Sequence, residues 1–411
     1  MSNVITIQGA PAAGPGTLHV LQAGPESAKR VLVLIAGRGE SAGGLRLVAR
    51  DLVDRVPNLQ VWAIARRQHN LADLKGFRAG GDEAVRYYLD TGYVEQDAAS
   101  APYAAQWGLD LELRDVREVV LAARAGGRRE VVLGGHSLGA TAVLDYAAWD
   151  FDGVPGYTDL HGMMLLDGGV RDALSGAGIE FSITADGVHQ WLTEIENGVL
   201  FDNATSLYNN FGDKPEAAAL WYQLVAQQAL AAPHRASVIA HRLPDAIRPD
   251  RELTNAGLLG WLVDEHAALP GYAVNSGHLD NGDWVDEGRT PLHRVATAMA
   301  ASDVTAWEWY SPHRLALDYH GTAAYTDDDV TRTLGLPLRH VHAINVPLYA
   351  FQSNLTNGTV CTAAEDLVSD TKIPSISTHT DEAMTHLDIL FAAPEHNSFV
   401  RTAVEFLTKL D

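Results

Sequence analysis

Apolar positions along the chain fall into uninterrupted runs separated by stretches with helical spacing. "RVLVLIAGRGESAGG" (30–44) stays apolar until it breaks into a glycine-rich turn, the pattern of a strand buried on both faces that feeds a helix. "LRLVARDLVDRV" (45–56) suits that helix, with apolar residues recurring on one side. "LQVWAIARR" (59–67) predicts a second strand, and "RDVREVVLAARAG" (114–126) a second amphipathic helix closed by glycine. Three more runs, "REVVLGG" (129–135), "HGMMLLDGG" (161–169) and "HAINVPLYAFQ" (342–352), predict strands, and "NSFVRTAVEFLTKL" (397–410) a closing helix. Such alternation predicts the α/β class, with a mostly parallel central sheet covered by helices on both faces.

Two intervals break this rhythm. Residues 68–113 are too long for a simple strand-to-helix loop. Residues 171–335 form a larger interruption that contains helical stretches such as "HQWLTEIENGVLF" and "KPEAAALWYQLVAQQALAA". A structureless loop of that length does not suit a globular domain, so an inserted helical cap is expected there. The predicted organisation is a core in two parts, 1–170 and 336–411, around a cap or lid at 171–335. The cap is rich in aromatic residues, which suits either its own packing or the wall of an apolar pocket.

The stretch "VVLGGHSLGAT" (131–141) carries the chemistry. Gly135-His136-Ser137-Leu138-Gly139 has G-x-S-x-G spacing between an apolar strand and the helical "ATAVLDYAAW". Its glycines allow backbone segments to approach where a Cβ would collide. Ser137 then projects from the strand end as a candidate nucleophile, and it needs an imidazole to take its proton. The first turn of the following helix, beginning near Leu138, leaves amide N–H groups free for developing negative charge. A second donor is expected from the turn after the 31–36 strand. Gly37 permits close approach there; the Arg38 N–H is preferred and Gly39 is the alternative. The Arg38 side chain has two readings, a partner for a substrate carboxylate or a solvated cation.

Three late histidines, His379, His386 and His396, compete for the base. All three lie in "THTDEAMTHLDILFAAPEHNSF" (378–399), after the last predicted strand and before the closing helix. His386 is preferred because "MTHLDILF" begins an apolar-periodic segment able to anchor its loop. Asp167 is the preferred acid, since an apolar strand ending in one carboxylate and two glycines is poorly explained by core packing. After the 342–352 strand come Gln352, Ser353, Asn354 and Asn357 with no carboxylate; Glu365, Asp366 and Asp370 lie farther on. Asp388, two residues past His386, is expected to fix the histidine loop by hydrogen bonds.

Charge and composition narrow the partners. The formal net charge of −22 disfavours nucleic acid and anionic membrane surfaces. No apolar run is long enough to span a bilayer, and the opening "MSNVITIQGAPAAGPG" has neither the basic region nor the apolar core of a secretory signal, so a cytoplasmic location is expected. The single cysteine, Cys361, excludes an intrachain disulfide and a multi-cysteine metal site. "DNGDWVDEG" (280–288) lacks EF-hand spacing, and "HNLAD" has one histidine rather than two. No phosphate-cradling loop or dinucleotide fingerprint follows a suitable strand, so neither cofactor nor metal is expected.

Taken in order, "VLVLIAGRG", "LGGHSLGAT", "LLDGG" and "THLDILF" resemble an α/β-hydrolase of the esterase and lipase kind. The histidine segment is similar to that of the acid lipases, where a His-Leu-Asp stretch carries the base, and this favours His386. The resemblance implies Ser137 as nucleophile and the Leu138 N–H as an oxyanion donor. The chain departs from the family in two places. The common His-Gly at the oxyanion turn is Ala36-Gly37 here, and the carboxylate that acid lipases place after the penultimate strand is absent near Asn354. Asp167 instead resembles the arrangement with the acid after the strand following the elbow. The expected activity is serine-dependent hydrolysis of a medium or bulky apolar ester through an acyl-enzyme. An amidase, lactonase, thioesterase or acyltransferase would use the same groups, and an inert ligand-binding protein on this fold is the alternative of a different class.

Overall fold

The apolar runs become the middle of one sheet. The computed structural model describes residues 2–266 and 270–410. Eight strands, β1 (Ser2–Gln8), β2 (Thr17–Ala23), β3 (Arg30–Ile35), β4 (Leu59–Ala65), β5 (Glu130–His136), β6 (Gly162–Leu166), β7 (Leu348–Gln352) and β8 (Ile376–Thr380), lie in the order β1-β2-β4-β3-β5-β6-β7-β8. From β4 to β8 every neighbouring pair is parallel, with Ile35 opposite Gly135, Gly135 opposite Leu165, and Leu166 opposite Phe351. β4, β6 and β7 are buried at every position, which is why their sequences are continuous apolar runs rather than alternating ones.

The edges differ from the sequence expectation. β1 and β2 form an antiparallel hairpin that continues onto β4, a feature the run-based reading did not predict. "SNVITIQ" has the mixed polar and apolar character of a strand with exposed positions, so it contains no long apolar run. At the other edge, β8 has the polar sequence "ISTHT" and is the last strand; the reading that ended the sheet at 342–352 is corrected. His379 therefore lies within a strand rather than after one. Within 342–352 only Leu348–Gln352 is extended, because Val341–Ala343 forms a 3-10 turn and Pro347 precedes the strand.

Among the described residues the helices of eight or more residues are α1 (Arg46–Val53), α2 (Leu109–Arg124), α3 (Leu138–Ala148), α4 (Ala185–Glu196), α5 (Ala217–Ala231), α6 (Leu292–Met299), α7 (His313–Thr322), α8 (Thr359–Ser369) and α9 (Ser398–Lys409). α1 packs on α9 and α2 on α3, while α8 rests on β7 and β8. α2 begins five residues earlier than the spacing predicts, at Leu109, and the Asp318 carboxylate of α7 accepts its first amide at 2.8 Å. Residues 68–113 hold several short helical turns before α2.

Between β6 and β7 the chain builds a helical cap containing α4 to α7. α5 is buried around most of its circumference, consistent with its "AAALWYQLVAQQALA" composition. "DNGDWVDEG" forms most of a β-hairpin, Gly277–Asp280 against Asp283–Asp286, turned by Asn281 and Gly282 at positive φ. Ion pairs Arg294–Asp51 (2.6 Å) and Arg38–Asp202 (2.6 Å) join cap to core. Among the described residues no helix is long and apolar enough to cross a membrane.

Candidate functional site

β5 runs straight into the sharp turn. Ser137 has φ 56° and ψ −126°, a conformation that a non-glycine residue holds only under constraint. Its amide donates to the Leu166 carbonyl at 2.8 Å, anchoring the turn on β6. Glycine is required around it: an added Cβ would lie 2.1 Å from the Gly139 carbonyl oxygen at Gly135, 2.3 Å from the Ile35 oxygen at Gly139, and 2.1 Å from the Ser137 oxygen at Gly168. The Ser137 side chain thereby emerges where β3, β5 and β6 end, with only 8% of the residue exposed.

Asp167 follows β6 directly and, like Ser137, has positive φ, 51°. Its amide donates to Phe351 O at 2.7 Å, which fixes it against β7. The Ser353 amide donates to Asp167 Oδ1 (2.8 Å) and the Ser353 hydroxyl to Oδ2 (2.5 Å); His386 Nδ1 lies 2.7 Å from the same Oδ2. Burial raises the Asp167 carboxyl, but the bond and charge of His386 together with both Ser353 donors bring it below the ordinary value. An ionised Asp167 can only accept, so His386 carries its proton on Nδ1. Nε2 is then the basic nitrogen, and it is buried with no hydrogen-bond partner among the described residues, Ser137 included.

The His386 loop is held from several sides. Asp388 accepts from the Thr385 amide (3.0 Å), the Asn275 amide (2.9 Å) and the Thr290 hydroxyl (2.6 Å), the anchoring role expected of it. The His386 amide donates to Gly271 O at 2.8 Å, and the Tyr272 ring meets the imidazole edge-on at 4.8 Å. His379 instead bonds Ser377 Oγ within β8, and His396 is exposed. Glu365 accepts from Thr378, and Asp370 pairs with Arg171; Asp366 is exposed. Of the competing histidines and acids, only His386 and Asp167 are bonded to each other.

The turn after β3 is clamped from two sides. Arg66, buried at the end of β4, donates to the carbonyls of Ala36 (2.6 Å), Gly37 (3.2 Å) and Glu40 (3.3 Å), while Glu112 (2.8 Å) and Glu308 (3.1 Å) neutralise it. The Gly37 amide donates to Glu40 Oε2 at 2.9 Å. A trans peptide points its C=O and N–H in opposite directions, so holding the Gly37 carbonyl on Arg66 turns the Arg38 N–H away from Arg66. Among the described residues neither the Arg38 nor the Leu138 amide has an acceptor. Both residues line one narrow cavity whose apolar wall is Pro312, Leu315 and Ala316. The Arg38 guanidinium itself pairs with Asp202, so of its two sequence readings neither a free carboxylate binder nor a solvated cation describes it.

His136, the variable residue inside the elbow, forms a second buried pair that the sequence reading did not assign. Its Nδ1 lies 2.9 Å and 3.0 Å from the two Glu40 oxygens, its Nε2 3.1 Å from the His386 carbonyl oxygen, and its ring 4.2 Å from the His386 ring. Burial lowers the His136 pKa, yet the charge and bond of Glu40 outweigh it and leave it raised. Burial and the neighbouring His136 lower His386, more than Asp167 and Glu40 raise it. Glu40, His136 and His386 bring ligand-type atoms within 4.8 Å of one another. The His136 nitrogens and His386 Nδ1 already have partners, so a cation would find one free imidazole nitrogen, His386 Nε2.

No family model matches the chain, and no curated protein matches its sequence. Solved structures do match its shape. A candidate lipase from Sulfolobus solfataricus is similar over 100% of this chain and 94% of its own, with a TM-score of 0.54 and 13% identity. Epoxide hydrolase A from Mycobacterium thermoresistibile gives 0.47 and 16% over 100% and 99% of the two chains, and a thermophilic esterase from Thermogutta terrifontis 0.43 and 12% over 99% of each. At these identities the likeness is one of fold. The sheet order, the parallel core and the inserted helical cap are those of the α/β-hydrolase fold.

Proposed function

We propose that this α/β-hydrolase-fold chain is a serine-dependent ester hydrolase working through an acyl-enzyme. Ser137 Oγ attacks the ester carbonyl as His386 Nε2 takes its proton, and the Leu138 and Arg38 amides stabilise the oxyanion. His386 returns the proton to the departing alcohol, then draws one from water as it attacks the acyl carbonyl and delivers it to Ser137 Oγ as the acyl–oxygen bond breaks, which frees the acid and restores Ser137. Asp167 remains ionised and fixes the ring with Nε2 basic. The observation that carries this reading is the buried Asp167–His386 hydrogen bond, which leaves an imidazole nitrogen unpartnered on a ring packed 4.2 Å from that of His136, the residue before the strained Ser137. Pro312, Leu315 and Ala316 give the two amides an apolar neighbour, and the medium or bulky apolar ester is proposed from the aromatic-rich cap alone.

A rapid-mixing assay on a chromogenic ester tests the proposal. A burst of alcohol equal to the enzyme concentration, absent in Ser137→Ala, is the expected result where deacylation is slow. Turnover retained by folded Ser137→Ala would refute it.

A further inference from the structure

We infer that Glu40 and His136 are positioning residues for this acyl transfer, joining the oxyanion turn and the base's loop into one rigid unit; the inference rests on the roles proposed for Ser137 and His386. Glu40 is buried and serves two segments at once, accepting the Gly37 amide on Oε2 and meeting His136 Nδ1 with both oxygens. His136 passes the hold onward through Nε2 to the backbone carbonyl of His386. With an ionised carboxylate on one nitrogen and a carbonyl on the other, both imidazole nitrogens face acceptors, so both carry protons and His136 is an imidazolium. Ordinary core packing calls for no buried ion pair here, since isosteric apolar residues are often as stable or more so.

The placement has two consequences for chemistry. First, the Ala36–Gly37 peptide is gripped at its carbonyl by Arg66 and at its amide by Glu40, and the next carbonyl is also on Arg66. The Gly37 amide is thus taken, which leaves the Arg38 and Gly39 amides as the unengaged donors of this turn among the described residues. Second, a cationic ring lies against His386 and disfavours a second positive charge there. The charged or titratable groups facing His386 are Asp167 after β6, His136 on β5, Glu40 from the turn after β3 and Tyr272 from the cap. Of these His136 is the main one opposing protonation, so its neutralisation raises the pKa of the base.

Two substitutions separate these roles from mere stability, with turnover normalised to the fraction of Ser137 titrated by a fluorophosphonate. Glu40→Ala loses both the Gly37 contact and the charge. It is expected to lower kcat about 10- to 100-fold with KM nearly unchanged, less than the ~10²–10³ for outright loss of an oxyanion donor. Glu40→Gln keeps an acceptor for Gly37 and is expected to restore most of that kcat while moving the acid limb of the kcat/KM profile to higher pH. Wild-type kcat and an unmoved acid limb per titrated site in both variants would overturn the inference, as would a change confined to KM. If wild-type Ser137 takes no phosphonate, the acyl-transfer reading falls first and the positioning role with it.

Discussion

At the scale of single residues, Asp167 sets the direction of the whole site. It accepts three hydrogen bonds while buried, and only one of them comes from the imidazole it orients. Asp167→Asn would leave the site's shape intact but favour the wrong tautomer of His386, and kcat is expected to fall about 10⁴-fold in steady-state assays. Burial and the neighbouring His136 hold His386 below its ordinary 6.5. As the proposed base, His386 must be neutral to accept a proton, so kcat/KM should rise with pH to a half-point below 6.5; a half-point above 6.5 contradicts this account. Ser137, His386 and Asp167 were legible as candidates because each falls at a recognisable strand end or motif. Glu40, Arg66 and Ser353 were not, because their partners lie on other strands or turns and no local spacing announces a tertiary contact. One signal was present at Glu40, a carboxylate inside a glycine-rich turn at the end of a buried strand.

At the scale of elements, the strand–turn–helix unit from β5 to α3 depends on backbone proximity. Gly139→Ala places a methyl 2.3 Å from the Ile35 carbonyl oxygen, a contact that flexible side-chain movement cannot relieve. It is expected to destabilise the fold by roughly 1–3 kcal/mol, measurable by urea unfolding, and to reduce activity through the displaced turn. β3 to β7 were readable because a strand covered on both faces must be apolar throughout. The same rule concealed the edges. β1 and β8 carry polar residues at half-buried and exposed positions, β2 beside β1 interleaves Thr17, His19 and Gln22 with apolar residues, and the identity of all three depends on the neighbour they pair with.

At the scale of the molecule, the cap meets the core through polar groups as well as apolar ones. Asp145 on α3 is buried; its Oδ2 accepts the Thr322 hydroxyl of α7, while Oδ1 has no partner among the described residues. Burial without a cation raises its pKa well above the ordinary value, so the folded state retains a proton that the unfolded chain releases. Stability therefore falls as pH rises from the ordinary carboxyl range toward the folded pKa. Asp145→Asn keeps the acceptor for Thr322 and removes this penalty. It should raise Tm at pH 7 and change it little near pH 4, and an equal Tm for both proteins at pH 7 would contradict the assignment.

These scales converge on whether Ser137 is an activated nucleophile. Intact-mass spectrometry after brief exposure to a fluorophosphonate, followed by peptide mapping, measures that directly. One adduct per chain at Ser137, lost in Ser137→Ala and strongly slowed in His386→Ala, is the result expected here; a folded protein left unmodified, or modified only elsewhere, would contradict it.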